Sequence, residues 1–259
     1  PLELAQAIAK HISPNDVIDH VEAAPPGFVN FYLKQSWLQK QVDVIRQSGS
    51  KFGDVDTGQG RKVMVEFVSV NPTGPVHVGH TRGAVLGSAL ANVLEAAGFE
   101  VTREYYVNDA GNQMQLFYRS VLARYQQELG QEAEIPENGY MGEYITELAK
   151  DILNVEGDRF LKMAEEQALL EIGDIGREKI VSTIKDDLSS IGVEFDNWFS
   201  ERSLFSSGEY EETIDFLREK DYLSERDGAL WFNSVMLGDD KDNVIVKTSG
   251  ESTYFASDI

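Results

Sequence analysis

Asn71-Pro72-Thr73-Gly74-Pro75-Val76-His77-Val78-Gly79-His80 decides the fold, because this stretch joins a short apolar run to a segment with helical periodicity. The run at 62–68 predicts a buried parallel strand. Apolar residues spaced three and four apart between Val85 and Ala97 predict one buried stripe on a helix. A second strand is expected at 100–107. The order strand, helix, strand predicts a parallel crossover.

Two histidines lie at the start of the predicted helix, where free N–H groups and the helix dipole favour an anion. His77 and His80 can donate hydrogen bonds to phosphate oxygens that gain charge when phosphorus is attacked, and Gly79 leaves room for an adenine or ribose. The motif therefore indicates chemistry on a nucleoside triphosphate. Two other readings stay open: ordinary helix-cap residues, or half of a zinc site, although the chain offers only His11 and His20 besides and no cysteine.

Composition limits the class of protein. The 259 residues include 44 acidic and 23 basic side chains, a net charge of -21, which argues against strong binding of a polyanion by this chain alone. The absence of cysteine excludes disulfides and thiol chemistry. No apolar segment has the length of a membrane span. We expect a cytoplasmic monomer that does not bind membranes.

Several ordered segments carry a family resemblance. Val65–His80 resembles the signature of arginyl-tRNA synthetases, a family of class I aminoacyl-tRNA synthetases, with His77–His80 as a variant of their HIGH motif. Further segments are similar in the same order, namely 106–114, 195–204, 227–232, 238–242 and 253–259. The resemblance implies a Rossmann-like parallel sheet with a helical insertion, preceded by the end of a small α/β appended domain.

The hydrophilic connection at 53–61 is the expected domain boundary. We interpret 1–57 as the C-terminal part of the appended domain, which in the family meets the elbow of tRNA, with its linker, and 58–259 as the class I nucleotide-binding domain. The family's later KMSK loop and helical anticodon-binding domain have no counterpart in this chain. We therefore interpret the chain as truncated and expect little or no aminoacylation from it in isolation.

The resemblance also implies how arginine is bound. A planar guanidinium is best held by carboxylates, and Glu66 and Asp258 match the family's guanidinium-binding acids. Tyr254 matches the tyrosine that packs along the arginine side chain, and Ser69 and Asn71 match groups that hold its amino end. The residues alone favour internal salt bridges or solvent-facing strand positions for both acids, and only the resemblance favours arginine binding.

Polar residues after the second strand form a further candidate group. Asp109, Gly111 and Gln113 lie where ligands bind in open parallel sheets, at the carboxyl end of a strand. Ligand contact and a structural turn both remain open for them. Beyond this point the pattern predicts helices at 112–129, 142–153 and 206–220, and short strands at 230–232, 244–247 and 253–256.

The activity implied by the resemblance is arginine–tRNA ligation. The carboxylate of L-arginine would attack the α-phosphate of ATP, with Mg²⁺ bound through ATP rather than by protein ligands, and the arginyl group would pass from arginyl-adenylate to tRNA(Arg). Two alternatives stay open: a small-molecule nucleotidyltransferase with the same His-x-Gly-His turn, and a module that binds ligand without turnover.

Overall fold

Residues 1–61 form, together with 94–99, the first of two units into which the chain divides. The computed structural model describes residues 1–259, except for the side chain of Tyr254. In this unit, helix α1 (Leu2–His11) precedes the antiparallel strands β1 (Ile18–Ala24) and β2 (Phe28–Leu33), and helix α2 (Gln35–Ser48) follows. The predicted helix over the first eleven residues and the predicted strand at 28–33 are both present.

The hydrophilic connection at 53–61 is an ordered part of the first unit. The backbone N–H groups of Val55, Gly58 and Gly60 donate to the carbonyls of residues 96–98 at 2.7, 2.7 and 2.8 Å. A Cβ on Gly58 would lie 2.5 Å from the Gly98 backbone, so only glycine permits this approach. The connection is thus fixed by hydrogen bonds to the turn that follows the next helix.

The second unit contains the parallel sheet predicted around the histidine motif. Its strands are β3 (Lys62–Glu66), β4 (Glu100–Val107) and β5 (Asn197–Ser200), paired in parallel in that order. Helix α3 (Val78–Ala96) connects β3 to β4, which confirms the predicted crossover. The expectation that the first strand is buried was wrong, because β3 lies at the edge of this sheet and its alternate residues, such as Met64, are exposed.

The predicted buried stripe of α3 was also wrong. The buried residues of this helix are Ala84, Gly87 and Ala91. Its larger apolar side chains are exposed in this chain, namely Val85, Leu86, Leu90 and Val93. The reason is close packing, since a Cβ on Gly87 would lie 2.2 Å from the ring of Phe67. Only the small-residue face lets the helix approach the end of β3.

Two glycines of α3 provide a matched test of this packing. We expect Gly87→Ala to destabilise the chain by about 1–3 kcal/mol, because the added methyl group meets the Phe67 ring. Gly83 has no heavy atom within 4 Å of its would-be Cβ, so Gly83→Ala should instead raise stability by up to about 1 kcal/mol through helix propensity. Urea denaturation measures both, and equal shifts for the two variants would contradict the packing described.

A helical insertion separates β4 from β5, as predicted. It consists of α4 (Gly111–Glu128), α5 (Glu143–Glu156) and α6 (Glu165–Ser190). These helices contribute most of the larger hydrophobic core, in which the largest side chains without solvent exposure are Phe117, Tyr125, Ile145, Ile152, Ile172 and Ile184. The insertion therefore provides a rigid wall next to the carboxyl edge of the parallel sheet.

The C-terminal part of the second unit begins with α7 (Glu201–Ser207) and α8 (Glu209–Glu219). The single helix predicted at 206–220 is divided there by Gly208, whose φ is +88°. Strands β6 (Leu223–Arg226), β7 (Ala229–Phe232) and β8 (Asn243–Val246) form a small antiparallel sheet. None of the helices formed by the described residues combines the length and apolar character needed to cross a bilayer.

The strand predicted at 253–256 is absent, and the chain instead forms the short helix α9 (Tyr254–Ser257). Thr253 explains the change. Its backbone N–H donates to the carbonyl of Ile245 at 2.9 Å, and its hydroxyl donates to the carbonyl of Val244 at 2.7 Å. The side chain and backbone of Thr253 thus tie the segment to β8, after which the chain turns away into the helix.

Candidate active site

The loop between β3 and α3 is held at the carboxyl edge of the sheet by groups of β4. Ser69 accepts a hydrogen bond at its hydroxyl from the backbone N–H of Tyr106 at 3.1 Å, and its carbonyl accepts one from Asn108 at 3.4 Å. The Tyr105 hydroxyl donates to the next carbonyl, 3.1 Å away. Val68 and Ser69 adopt φ values of +68° and +41°, conformations that side chains rarely adopt. The loop is therefore strained and tightly fixed.

His77 and His80 lie together at the N-terminus of α3. Their rings stack with centroids 3.5 Å apart. The Nδ1 atom of His77 accepts from the backbone N–H of Gly79 at 3.1 Å, and the Nδ1 atom of His80 accepts from that of His77 at 3.3 Å. Each neutral ring then carries its proton on Nε2, which is left to donate to a ligand.

Electrostatics keep His80 neutral at pH 7. Burial lowers the pKa of its imidazole below the ordinary value of 6.5, and the neighbouring His77 lowers that pKa further. Gly79 is required for the arrangement, because a Cβ there would lie 2.9 Å from Cε1 of His77. Two ring N–H donors at the positive end of a helix dipole fit the phosphates of a nucleotide.

Glu66 and Asp258 are both exposed, at the end of β3 and just after α9. Within the part of the chain that the structure describes, neither carboxylate has a lysine or arginine within 4.0 Å, so the internal salt bridges considered above are not formed there. Both carboxylates raise the pKa of Tyr106. Residues distant in sequence are thus brought around one side chain at the sheet edge.

Asn71 and Gln113 are also brought together. The Asn71 amide donates to Oε1 of Gln113, which links the histidine loop to the first turn of α4. Gly111, the first residue of that helix, has a φ of +79°, which favours glycine. The Ser69 hydroxyl accepts a hydrogen bond from the Tyr106 backbone N–H, as described above. The predicted packing of the Tyr254 side chain lies outside the described residues.

Asp109 is occupied by protein donors. Its side chain has no solvent exposure and accepts from the Ser200 hydroxyl at 2.7 Å, the backbone N–H of Arg202 at 3.0 Å and Nη1 of Arg177 at 2.9 Å. Of the two roles left open for Asp109, these contacts favour the structural one. Asp109 joins β4 to α6 and α7.

Sequence reasoning missed the ion pairs that stabilise this arrangement. Arg202 donates to both oxygens of Asp174, at 2.5 and 3.2 Å, and the Tyr118 hydroxyl donates to the same carboxylate at 2.6 Å. Asp174 lies in a long helix with charged faces, where a carboxylate is ordinarily solvated. Among the described residues, no group of three or more potential metal-ligating side chains was found.

A parallel sheet with a His-x-Gly-His turn at its carboxyl edge and a helical insertion defines the class I aminoacyl-tRNA synthetase catalytic domain. The family profile for tRNA synthetases class I (R), catalytic domain, matches residues 41–259, and the arginyl-tRNA synthetase N-terminal domain profile matches residues 1–33. The chain belongs to the arginyl-tRNA synthetase family. The predicted fold class and family are thereby confirmed.

Individual relatives agree with this assignment. Arginine–tRNA ligase of Dehalococcoides mccartyi is 49% identical over 259 residues, which are 100% of this chain and 47% of the relative. That of Carboxydothermus hydrogenoformans is 48% identical over 100% of this chain and 46% of its own length. A solved Campylobacter jejuni structure carrying the arginyl-tRNA synthetase name has a TM-score of 0.76 at 34% identity, over 87% of this chain and 49% of its own. The chain spans about half the length of these relatives.

Proposed function

We propose that this chain provides the ATP- and arginine-binding part of an arginine–tRNA ligase. The observation that carries the proposal is the convergence of Glu66 and Asp258 around Tyr106, without a described cationic partner, at the same sheet edge as His77 and His80. A cationic amino acid would supply the missing positive charge. The triphosphate would occupy the N-terminus of α3.

In the proposed reaction, a carboxylate oxygen of L-arginine attacks the α-phosphorus of ATP, and the bond from that phosphorus to the bridging oxygen breaks. Pyrophosphate leaves and arginyl-adenylate results. Nε2–H groups of His77 and His80 donate to phosphate oxygens as their charge increases. No side chain has to act as a nucleophile, so the residues of this chain contribute placement and electrostatic stabilisation.

The remaining partners follow from the same proposal. The terminal ribose of tRNA(Arg) would attack the arginyl carbonyl and displace AMP. Mg²⁺ would arrive bound to ATP and neutralise charge on the departing pyrophosphate. Residues 1–57 would be the end of the tRNA-elbow domain and 58–259 the nucleotide-binding domain, acting as a monomer in the cytoplasm. We further propose that Asn71, Ser69 and Tyr254 position arginine and that Gln113 supports Asn71.

Selective binding of arginine tests the proposal. In calorimetric titrations of the chain, we expect arginine to bind at least about tenfold more tightly than lysine, because only a guanidinium can form paired N–H contacts with two carboxylates. Asp258→Asn should remove this preference. Asp187→Asn, which removes the same charge from an exposed position of α6, should leave it intact.

Equal affinity for arginine and lysine would contradict the proposed amino-acid site. A second assay separates the proposal from a small-molecule nucleotidyltransferase. In a protein of the relatives' full length that carries this chain, exchange of pyrophosphate into ATP should require arginine and tRNA. The isolated chain should charge little or no tRNA.

A further inference from the structure

Two buried polar groups at the same sheet edge have no role in the function proposed so far. Glu201 is the first residue of α7, directly after β5, and is only 5% exposed. Its Oε2 atom is buried, and no described group lies in hydrogen-bonding geometry with that atom. The hydroxyl oxygen of Tyr106 is also buried, and Ser257 of α9 is the side chain that interacts with it. A buried polar atom without a partner is costly, so a ligand that satisfies Oε2 of Glu201 would be favoured.

The topology places these groups in one row. Glu66 ends β3, Tyr106 is the penultimate residue of β4, and Glu201 follows β5, so three neighbouring parallel strands each present one polar residue at the carboxyl edge. In the register of the sheet, Tyr106 pairs with Phe199 and Val107 with Ser200. Ligands bind at this edge in open parallel sheets.

The electrostatics agree with this placement. Burial, and then the negative charges of Glu201, Asp258 and Glu66, raise the pKa of Tyr106 to about 12, although a hydrogen bond with Ser257 lowers it. Burial also raises the pKa of the Glu201 carboxyl, which a hydrogen bond from Ser257 opposes and the charges of Asp109 and Asp258 reinforce. Three carboxylates therefore lie close enough to the Tyr106 hydroxyl to act on it, those of Glu201, Asp258 and Glu66. The carboxylate of Asp109, which acts on Glu201, is paired with Arg177.

We propose that Glu201 and the Tyr106 hydroxyl are further specificity determinants of the cationic amino-acid site, forming its inner wall opposite Glu66 and Asp258. This inference rests on the proposed function. A guanidinium offers five N–H donors in one plane, more than two carboxylates need, and the surplus donors fit Oε2 of Glu201 and the Tyr106 oxygen. The Tyr106 hydroxyl then acts as an acceptor from the ligand.

The test compares Glu201→Gln and Tyr106→Phe with Glu225→Gln, which removes a carboxylate from an exposed position of β6. In a full-length protein carrying this chain, arginine binding is measured by calorimetry and pyrophosphate exchange by kinetics. We expect Glu201→Gln to weaken arginine binding at least about tenfold and to reduce discrimination against citrulline, the uncharged analogue, by a similar factor. The KM for ATP should stay within about twofold.

A purely structural role for Glu201 predicts a different outcome, because a loosened α7 would change both KM values and leave discrimination against citrulline intact. That result would overturn the inference. If Glu201→Gln does not fold, Tyr106→Phe decides, since it removes a single hydroxyl whose one named protein contact is Ser257, and Ser257→Ala controls for the loss of that contact. Unchanged arginine affinity in Tyr106→Phe would then refute the inner wall. Failure of the unmodified protein to bind arginine would instead refute the proposed function itself.

Discussion

Replacing His80 with alanine should lower the rate of arginine-dependent pyrophosphate exchange by about 100- to 1000-fold in a full-length protein carrying this chain, the usual effect of losing one donor to a developing oxyanion. The KM for arginine should change little, because the carboxylates that we propose to hold the amino acid lie on other elements. His80→Asn, which keeps an N–H donor on a shorter side chain, should recover part of the rate. Steady-state and single-turnover kinetics measure both effects.

The stacked pair of His77 and His80 allows the predicted loss of rate to be separated from a general loss of stability. Since Nδ1 of each ring accepts a backbone N–H at the start of α3, loss of either ring also frees that turn, and His77→Ala should lower the rate by a similar factor. His20→Ala is the matched control, because His20 lies in β1 in the other unit of the chain. A loss of rate in His20→Ala comparable to that in His80→Ala would show that the assay reports stability or tRNA binding rather than catalysis.

The sequence predicted the histidine turn in detail because its information is local. A strand, two prolines and a helix start lie within twenty residues, and the side chains that form the turn are neighbours along the chain. The pairing of Asn71 with Gln113 spans 42 residues and has no such local signal. The buried ends of Tyr106 and Glu201 could not be predicted either, because their neighbours Ser257 and Asp258 lie far along the chain.

The errors in the fold have a common physical origin. Periodicity in α3 correctly indicated a helix, but hydrophobicity alone favoured the face with Val85 and Leu86, whereas the ring of Phe67 accepts only the face with Gly87. At 253–256, β-branched and aromatic residues favoured a strand, but Thr253 bonds back to β8 and ends the pairing. In both cases a specific tertiary contact overrode a local preference.

The buried carboxylate of Asp109 should be the most sensitive position for folding. We expect Asp109→Asn to destabilise the chain by about 1.5–3 kcal/mol, because it removes the nearest counterion of Arg177 from a site shielded from solvent and leaves only the longer contacts to Asp174 and Glu178, at 3.8 and 3.6 Å. It also places an amide N–H₂ group among three existing donors. Urea denaturation of the 259-residue chain followed by circular dichroism measures the loss.

Asp158→Asn is the matched control for Asp109→Asn, because Asp158 forms an ion pair with Lys162 in solvent, where screening leaves little net energy. Its denaturation midpoint should be almost unchanged. A double-mutant cycle with Arg177→Met should then show that the two partners are coupled, since Arg177→Met removes a charge that has lost its nearest counterion and recovers part of the stability lost in Asp109→Asn. Additive losses would mean that Asp109 stabilises the chain through Ser200 and the Arg202 backbone alone.

In either outcome, the turn that carries Asn108 and Gln113 depends on this carboxylate for its position, so arginine affinity should fall together with stability in Asp109→Asn but not in Asp158→Asn.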